Sequence, residues 1–225
     1  MGLKDNILTT FHQKDELAPQ IWETDSNSGE FFMHPEVREQ LLKITNEFLS
    51  FIDLDNLDCN IETQDCDIED IVVTGSIANY NWSRFSDIDL HIILDFSDID
   101  ENEELIKNFL NAKKNLWNAS HDIEIRGFEV EVYGQDSKET HFSSGVFSIL
   151  FDEWVVKPEY VESEIDVTQI LSKAKGWMNM IDELYSRQYE QTPEETLELI
   201  DKIKKKLKKF RSCGLEQGGE YSYEN

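Results

Sequence analysis

The segment Asp87-Ile88-Asp89-Leu90-His91-Ile92-Ile93-Leu94 constrains the fold more than any other part of the chain. A strand turns successive side chains to opposite faces, so Asp87, Asp89 and His91 fall on one side and Ile88, Leu90, Ile92 and Leu94 on the other. A sheet with one face against a core and the other open satisfies both sets. Upstream, Asp70-Ile71-Val72-Val73-Thr74 reads as a short buried strand that ends at Gly75, where the backbone can turn sharply and approach an anion closely. Ser76 adds a hydroxyl donor there. Two carboxylates on one face supply the hard oxygen ligands that magnesium or manganese prefers, and the adjacent turn supplies donors to phosphate. The pattern therefore predicts a site for a divalent cation and a nucleoside triphosphate (NTP).

Gly75-Ser76 followed by Ser86-Asp87-Ile88-Asp89-Leu90 resembles the signature of the DNA polymerase beta-like nucleotidyltransferase superfamily. The resemblance implies an α/β (α+β) fold: a small twisted mixed sheet flanked by helices, here with a C-terminal helical part. It also implies transfer of a nucleoside monophosphate from an NTP to an acceptor hydroxyl, with release of pyrophosphate. Members carry a third carboxylate on a later strand, and Phe128-Glu129-Val130-Glu131-Val132-Tyr133 matches that place, with Glu where Asp is commoner. Glu131 is the preferred third ligand; Glu129 shares its face, and strand register decides between them. Asp87, Asp89 and Glu131 would then be both catalytic and metal-binding, while Gly75, Ser76 and Arg84 would hold the triphosphate. An Arg that many members place shortly after the Gly-Ser turn is replaced here by Ala78-Asn79-Tyr80. The stretches 129–136 and 141–148 also resemble uncharacterised nucleotidyltransferase-like proteins frequent in bacteriophages, a likeness that brings no substrate with it. His91, on the face of the Asp pair, reads as a structural neighbour of the site, since magnesium seldom takes imidazole.

Charge narrows the partners. With 47 acidic and 21 basic residues the formal net charge is −26, which opposes the phosphate neutralisation on which duplex DNA binding rests. The acceptor classes that stay open are a protein side chain, a small molecule, another nucleotide or an RNA end. Such a surface also suits a basic protein partner. No apolar run is long enough for a membrane span. The three cysteines, Cys59, Cys66 and Cys213, lack zinc spacing and read as free thiols. A cytoplasmic protein is expected, in the host if phage-encoded, with a virion component as the other location.

The organisation expected is an N-terminal arm over 1–33, a nucleotidyltransferase-like domain over 34–158 and a helical region over 159–225. The arm would wrap the domain through Ile21, Trp22, Phe31 and Phe32. From Pro35 to Ile52 the apolar positions Val37, Leu41, Ile44, Phe48 and Ile52 recur at helical spacing. An acidic linker over 53–69, a crossover helix over 101–119, a strand over 122–133 and a strand or hairpin over 141–158 follow. Two helices, 166–190 and 193–211, complete the chain; Thr192-Pro193-Glu194-Glu195 is a cap with an acidic first turn. The run Lys204–Arg211 reads as a cationic helix C-terminus favoured by the macrodipole, or else as a contact for phosphate or another acidic surface. The competing class is a catalytically inactive protein of the same fold acting as a structural or partner-binding component.

Overall fold

The computed structural model describes residues 14–53, 59–60, 65–66, 68–139, 143–162, 167–187, 192–219 and 222. Two compact units emerge, Gln13–Tyr160 and a second that contains Val161–Asn225. The first is built around a mixed sheet of six strands. These are β5 (Ile68–Thr74), β6 (Ile88–Leu94), β7 (Glu124–Ile125), β8 (Phe128–Asp136), β9 (Val146–Ser148) and β10 (Glu153–Val156), in the spatial order β10-β9-β5-β6-β8-β7. Neighbours run antiparallel except β6 and β8, whose parallel pairing requires a crossover. That crossover is made by the short α2 (Phe96–Ile99) and by α3 (Glu103–Ser120), which Asn102 caps by accepting from the Leu105 amide. The chain is thus a mixed α+β protein.

Alternation along the central strands divides the sheet as its sequence requires. Ile88, Leu90, Ile92, Val130 and Val132 are buried, while Asp89, His91, Glu131 and Tyr133 between them stay half-buried on the other face. Against the apolar face lie α1 (Pro35–Ile52), through Val37, Leu41, Ile44, Phe48 and Ile52, and α3, through Ile106, Leu110 and Trp117. Phe48 meets Trp117 edge-on at 5.6 Å, which ties the two helices together. α3 comes so close to β8 that a Cβ at Gly134 would touch Leu110 at 3.1 Å.

Residues 14–33 belong to this core. Leu17, Ala18, Ile21 and Trp22 are fully buried, and β1 (Trp22–Thr24) pairs with β2 (Phe31–Met33). The Trp22 indole donates to the Ile77 carbonyl at 2.7 Å and stacks on Trp154 at 4.6 Å. Only Phe32 of the four anchoring residues expected in the arm is exposed. Residues 1–13 and much of the acidic linker lie outside the described residues. Within that linker, β3 (Cys59–Asn60) pairs with β4 (Asp65–Cys66).

The strand expected over 122–133 is instead the β7–β8 hairpin, which continues to Asp136. Its two-residue turn, Arg126-Gly127, has φ of 51° and 88°. Two positive φ values mark the mirror-image turn that suits the twist of paired strands. The hairpin expected within 141–158 is β9–β10, with Val146 to Ser148 wholly buried.

In the second unit, α4 (Val167–Arg187) and α5 (Pro193–Gly218) are both longer than three turns. Thr192 accepts from the Glu195 amide and the Glu195 carboxylate accepts from the Thr192 amide, a complete capping box ahead of the N1 proline. Thr192→Ala is expected to cost about 1 kcal/mol, read as faster amide exchange in the first turns of α5. The helix does not end with the basic run. It continues to Gly218, and its last turn carries no cation. Lys204–Arg211 therefore lies within the helix, where the terminal dipole does not explain it. Among the described residues no helix is long and apolar enough to cross a membrane.

Candidate metal centre

Parallel pairing of β6 with β8 sets Asp89 level with Glu131, and Ile88 level with Val130. Side chains on level residues of one face point the same way, so both carboxylates rise from the open face together. Asp87, one residue before β6, joins them. Asp87, Asp89 and Glu131 each offer a carboxylate oxygen within 4.8 Å of the others, and all three are half-buried. Glu129 faces the same side but stands exposed where β8 pairs with β7, opposite Glu124. It is not part of the group.

Three carboxylates at this spacing repel one another unless a cation lies among them. The donor set is all oxygen, which suits a hard divalent ion such as magnesium or manganese. A second observation supports the fit. Gly75 has φ 78° and ψ −163°, a region almost confined to glycine, and a Cβ there would collide with Oδ2 of Asp89. The turn is thus held against the carboxylate group with no room for a side chain. Gly75→Ala is expected to fold with a displaced Asp89 and to lose metal affinity by roughly tenfold or more, measured by titration of manganese with the protein.

Ser76 begins a single 3₁₀ turn, Ser76–Ala78, and its Oγ lies 2.7 Å from Ser86 Oγ. Ser86 Oγ also accepts from the Ser83 amide at 2.9 Å, so the loop before Asp87 is tied to the Gly-Ser turn by hydroxyls. From the other side Ser143 Oγ accepts from the Gly75 amide at 3.3 Å and donates to the Gly145 carbonyl at 2.9 Å. The buried Asn79 amide donates to Ser144 Oγ. Gly145 fits because a Cβ would strike the Ala78 carbonyl.

The Arg84 guanidinium lies over the exposed Phe85 ring at 4.5 Å.

Tyr133, two residues past Glu131 on the same face, donates its hydroxyl to Glu131 Oε2. Burial first, then this bond and the neighbouring carboxylates, push its phenol well above the ordinary range, so the hydroxyl keeps its proton. His91 stacks on the Tyr133 ring at 4.7 Å and its Nδ1 lies 2.7 Å from Gln135 Oε1. His91 thus braces the ring beside the carboxylates. Lys114 of α3 places its ammonium 4.2 Å from the centre of the Tyr133 ring. The sequence motif marks neither Tyr133 nor Lys114. For Tyr133 the i+2 spacing from Glu131 was a usable signal; for Lys114, on a separate helix, there was none.

The open face of the sheet therefore holds an oxygen-ligand cluster and a hydroxyl-lined turn that backbone can bring near an anion, with the Lys114 ammonium set against the Tyr133 ring. No protein-family model, no curated protein and no solved structure matches this chain.

Proposed function

We propose that the protein is a metal-dependent nucleotidyltransferase, moving a nucleoside monophosphate from an NTP to an acceptor hydroxyl and releasing pyrophosphate. The observation that carries this reading is the level placement of Glu131 beside Asp89, with Asp87 joining them, against a glycine turn that admits no side chain. A short mixed sheet of the nucleotidyltransferase type is the fold that the motif Gly75-Ser76…Asp87-Ile88-Asp89 implies, and the α+β sheet found here is compatible with it.

Asp87, Asp89 and Glu131 would hold magnesium or manganese, which supplies neutralisation of the triphosphate and polarisation of the acceptor oxygen. The chain's own residues do the rest. The Gly75 turn brings backbone close to the terminal phosphates, and the Ser76 hydroxyl, pre-oriented by Ser86, donates to a phosphate oxygen. Glu131 accepts the proton of the acceptor hydroxyl, and the Tyr133 hydroxyl holds that carboxylate in place. Arg84, in the loop before Asp87, would steady a phosphate oxygen, and Lys114 holds a second positive charge against the Tyr133 ring.

The test is incubation of the purified protein with each labelled NTP and magnesium or manganese, scored for pyrophosphate and for label on protein, RNA or small molecules. Failure to release pyrophosphate with any NTP or acceptor class would favour the non-catalytic, partner-binding reading. For partners, no measurable binding to duplex DNA is expected at physiological salt, given a net charge of −26. A mobility or anisotropy titration checks this; binding abolished by charge reversal across Lys204–Arg211 would make a nucleic-acid acceptor the leading choice.

A further inference from the structure

The helices of the second unit carry more apolar surface than they can bury on each other. Trp177 of α4 meets Phe210 of α5 edge-on at 5.8 Å, while Leu184 shares a groove with Leu199 and Ile203, so the two helices run antiparallel. Each has a second apolar stripe. On α4 it is Leu171, Ala174, Met178, Ile181 and Tyr185; on α5 it is Leu197, Ile200, Leu207 and Leu215. The α4 stripe keeps the alternating three- and four-residue spacing of a helix–helix seam, as does α5 from Leu197 to Leu207, where Lys204 takes one seam position. Most of each stripe is open: Met178, Ile181, Tyr185, Leu197, Leu207 and Leu215 are between 38% and 68% exposed, while Leu171, Ala174 and Ile200 are half-buried.

At 3.6 residues per turn the groove residues lie one way round each helix from the Trp177–Phe210 contact, and the second stripes lie the other way. Because the helices are antiparallel, both stripes open on one face, opposite the groove. That face is half of a four-helix arrangement.

Charge identifies what covers it. Along α5 the carboxylates Glu194 and Asp201 flank the stripe in its first half, and Lys204, Lys208 and Arg211 interrupt or flank it in the second. A two-fold axis makes the same patch meet itself. Crossing antiparallel, the first half of one α5 meets the second half of the other, so carboxylates face ammonium groups and Leu197 comes level with Leu207 of the partner subunit. A parallel crossing would set cations against cations. The net charge of −26 per chain is no obstacle at physiological salt, where screening within about 8 Å leaves the local pattern to decide.

We infer that the α4–α5 face is a self-association surface, closing a homodimer through an antiparallel four-helix seam. This inference stands apart from the catalytic reading. It also gives the basic run, unexplained as a helix end, a place in the molecule.

Sedimentation of the full chain from low to about 100 μM tests it, with circular dichroism to confirm that each variant folds. The wild type is expected at twice its 26.3 kDa mass. Leu207→Glu, at an exposed position, should weaken the dimer by more than tenfold. Lys204→Glu with Lys208→Glu should weaken it about tenfold, and adding Glu194→Lys with Asp201→Lys should restore it by exchanging the two halves of the pattern. A wild type that stays at 26.3 kDa throughout, or a dimer indifferent to Leu207→Glu, overturns the proposal. A dimer broken by charge reversal and not restored by the fourfold exchange overturns the antiparallel seam.

Discussion

Asp87→Asn combined with Asp89→Asn is expected to change thermal stability in two opposite senses. Without ligand the variant should melt higher than the wild type, because two of three carboxylates within 4.8 Å no longer repel. With manganese and an NTP the wild type should gain stability and the variant should not. At a ligand concentration about a hundred times its dissociation constant, the gain is about 2.7 kcal/mol. For a chain of this size that is a rise of roughly 5 to 10 °C in Tm. Nucleotidyl transfer should fall by about a thousandfold or more, the scale of losing charge stabilisation in the transition state. Differential scanning fluorimetry reads both shifts in one experiment. Equal stabilisation of the two proteins by metal and NTP would remove the three carboxylates as the binding site. A variant that also lacked the ligand-free gain would mean that the group is not electrostatically strained, and the argument for a cation there would fail.

Both halves of that expectation depend on an arrangement only partly visible in the amino-acid sequence. Alternation from Asp87 to Leu94 was legible because one face is apolar at every second residue, and a slip by one would bury the acids. The α1 stripe from Val37 to Ile52 and the Thr192 capping box were legible for the same kind of reason: the signal is local and repeats within a few residues. Long-range pairing was not. Nothing in residues 14–33 says that Trp22 will donate to Ile77 and stack on Trp154, because those contacts join segments far apart in the chain. The β7–β8 turn could have been found, since Arg126-Gly127 ends in the residue that turn type favours. The reach of α5 to Gly218 was hidden by the basic run, which reads as a cationic helix end at Arg211 but lies within the helix. Of the candidate site, Asp87 and Asp89 could be named from strand pattern and Glu131 only through the resemblance, with Glu129 beside it; Ser143 and Ser144 fall in the stretch 141–148, whose likeness brings no role for them, and Lys114, on a separate helix, had no local mark. Arg84 is placed by sequence only in the loop before Asp87; its stacking on Phe85 is visible in the structure alone.

Register gives the second large effect. Glu129 and Glu131 occupy the same face of β8 two residues apart, so composition and alternation treat them alike. The parallel ladder does not: Glu131 is level with Asp89, and Glu129 lies where β8 leaves β6 for its pairing with β7. Glu131→Gln keeps the shape and the hydrogen bond from Tyr133 to a side-chain oxygen, but removes the charge that would hold the cation and accept the proton. It should reduce transfer by about a hundredfold or more, by loss of general-base action together with metal binding. Glu129→Gln, at an exposed position, should leave transfer within about twofold and fold stability nearly unchanged. The two are compared by pyrophosphate release at saturating NTP and by manganese affinity. A reversed order would place the third ligand two residues earlier than the ladder does. Equal and negligible effects on both transfer and manganese affinity would separate the carboxylates from any chemistry, leaving the open face of the sheet as a binding surface rather than a centre for phosphoryl transfer.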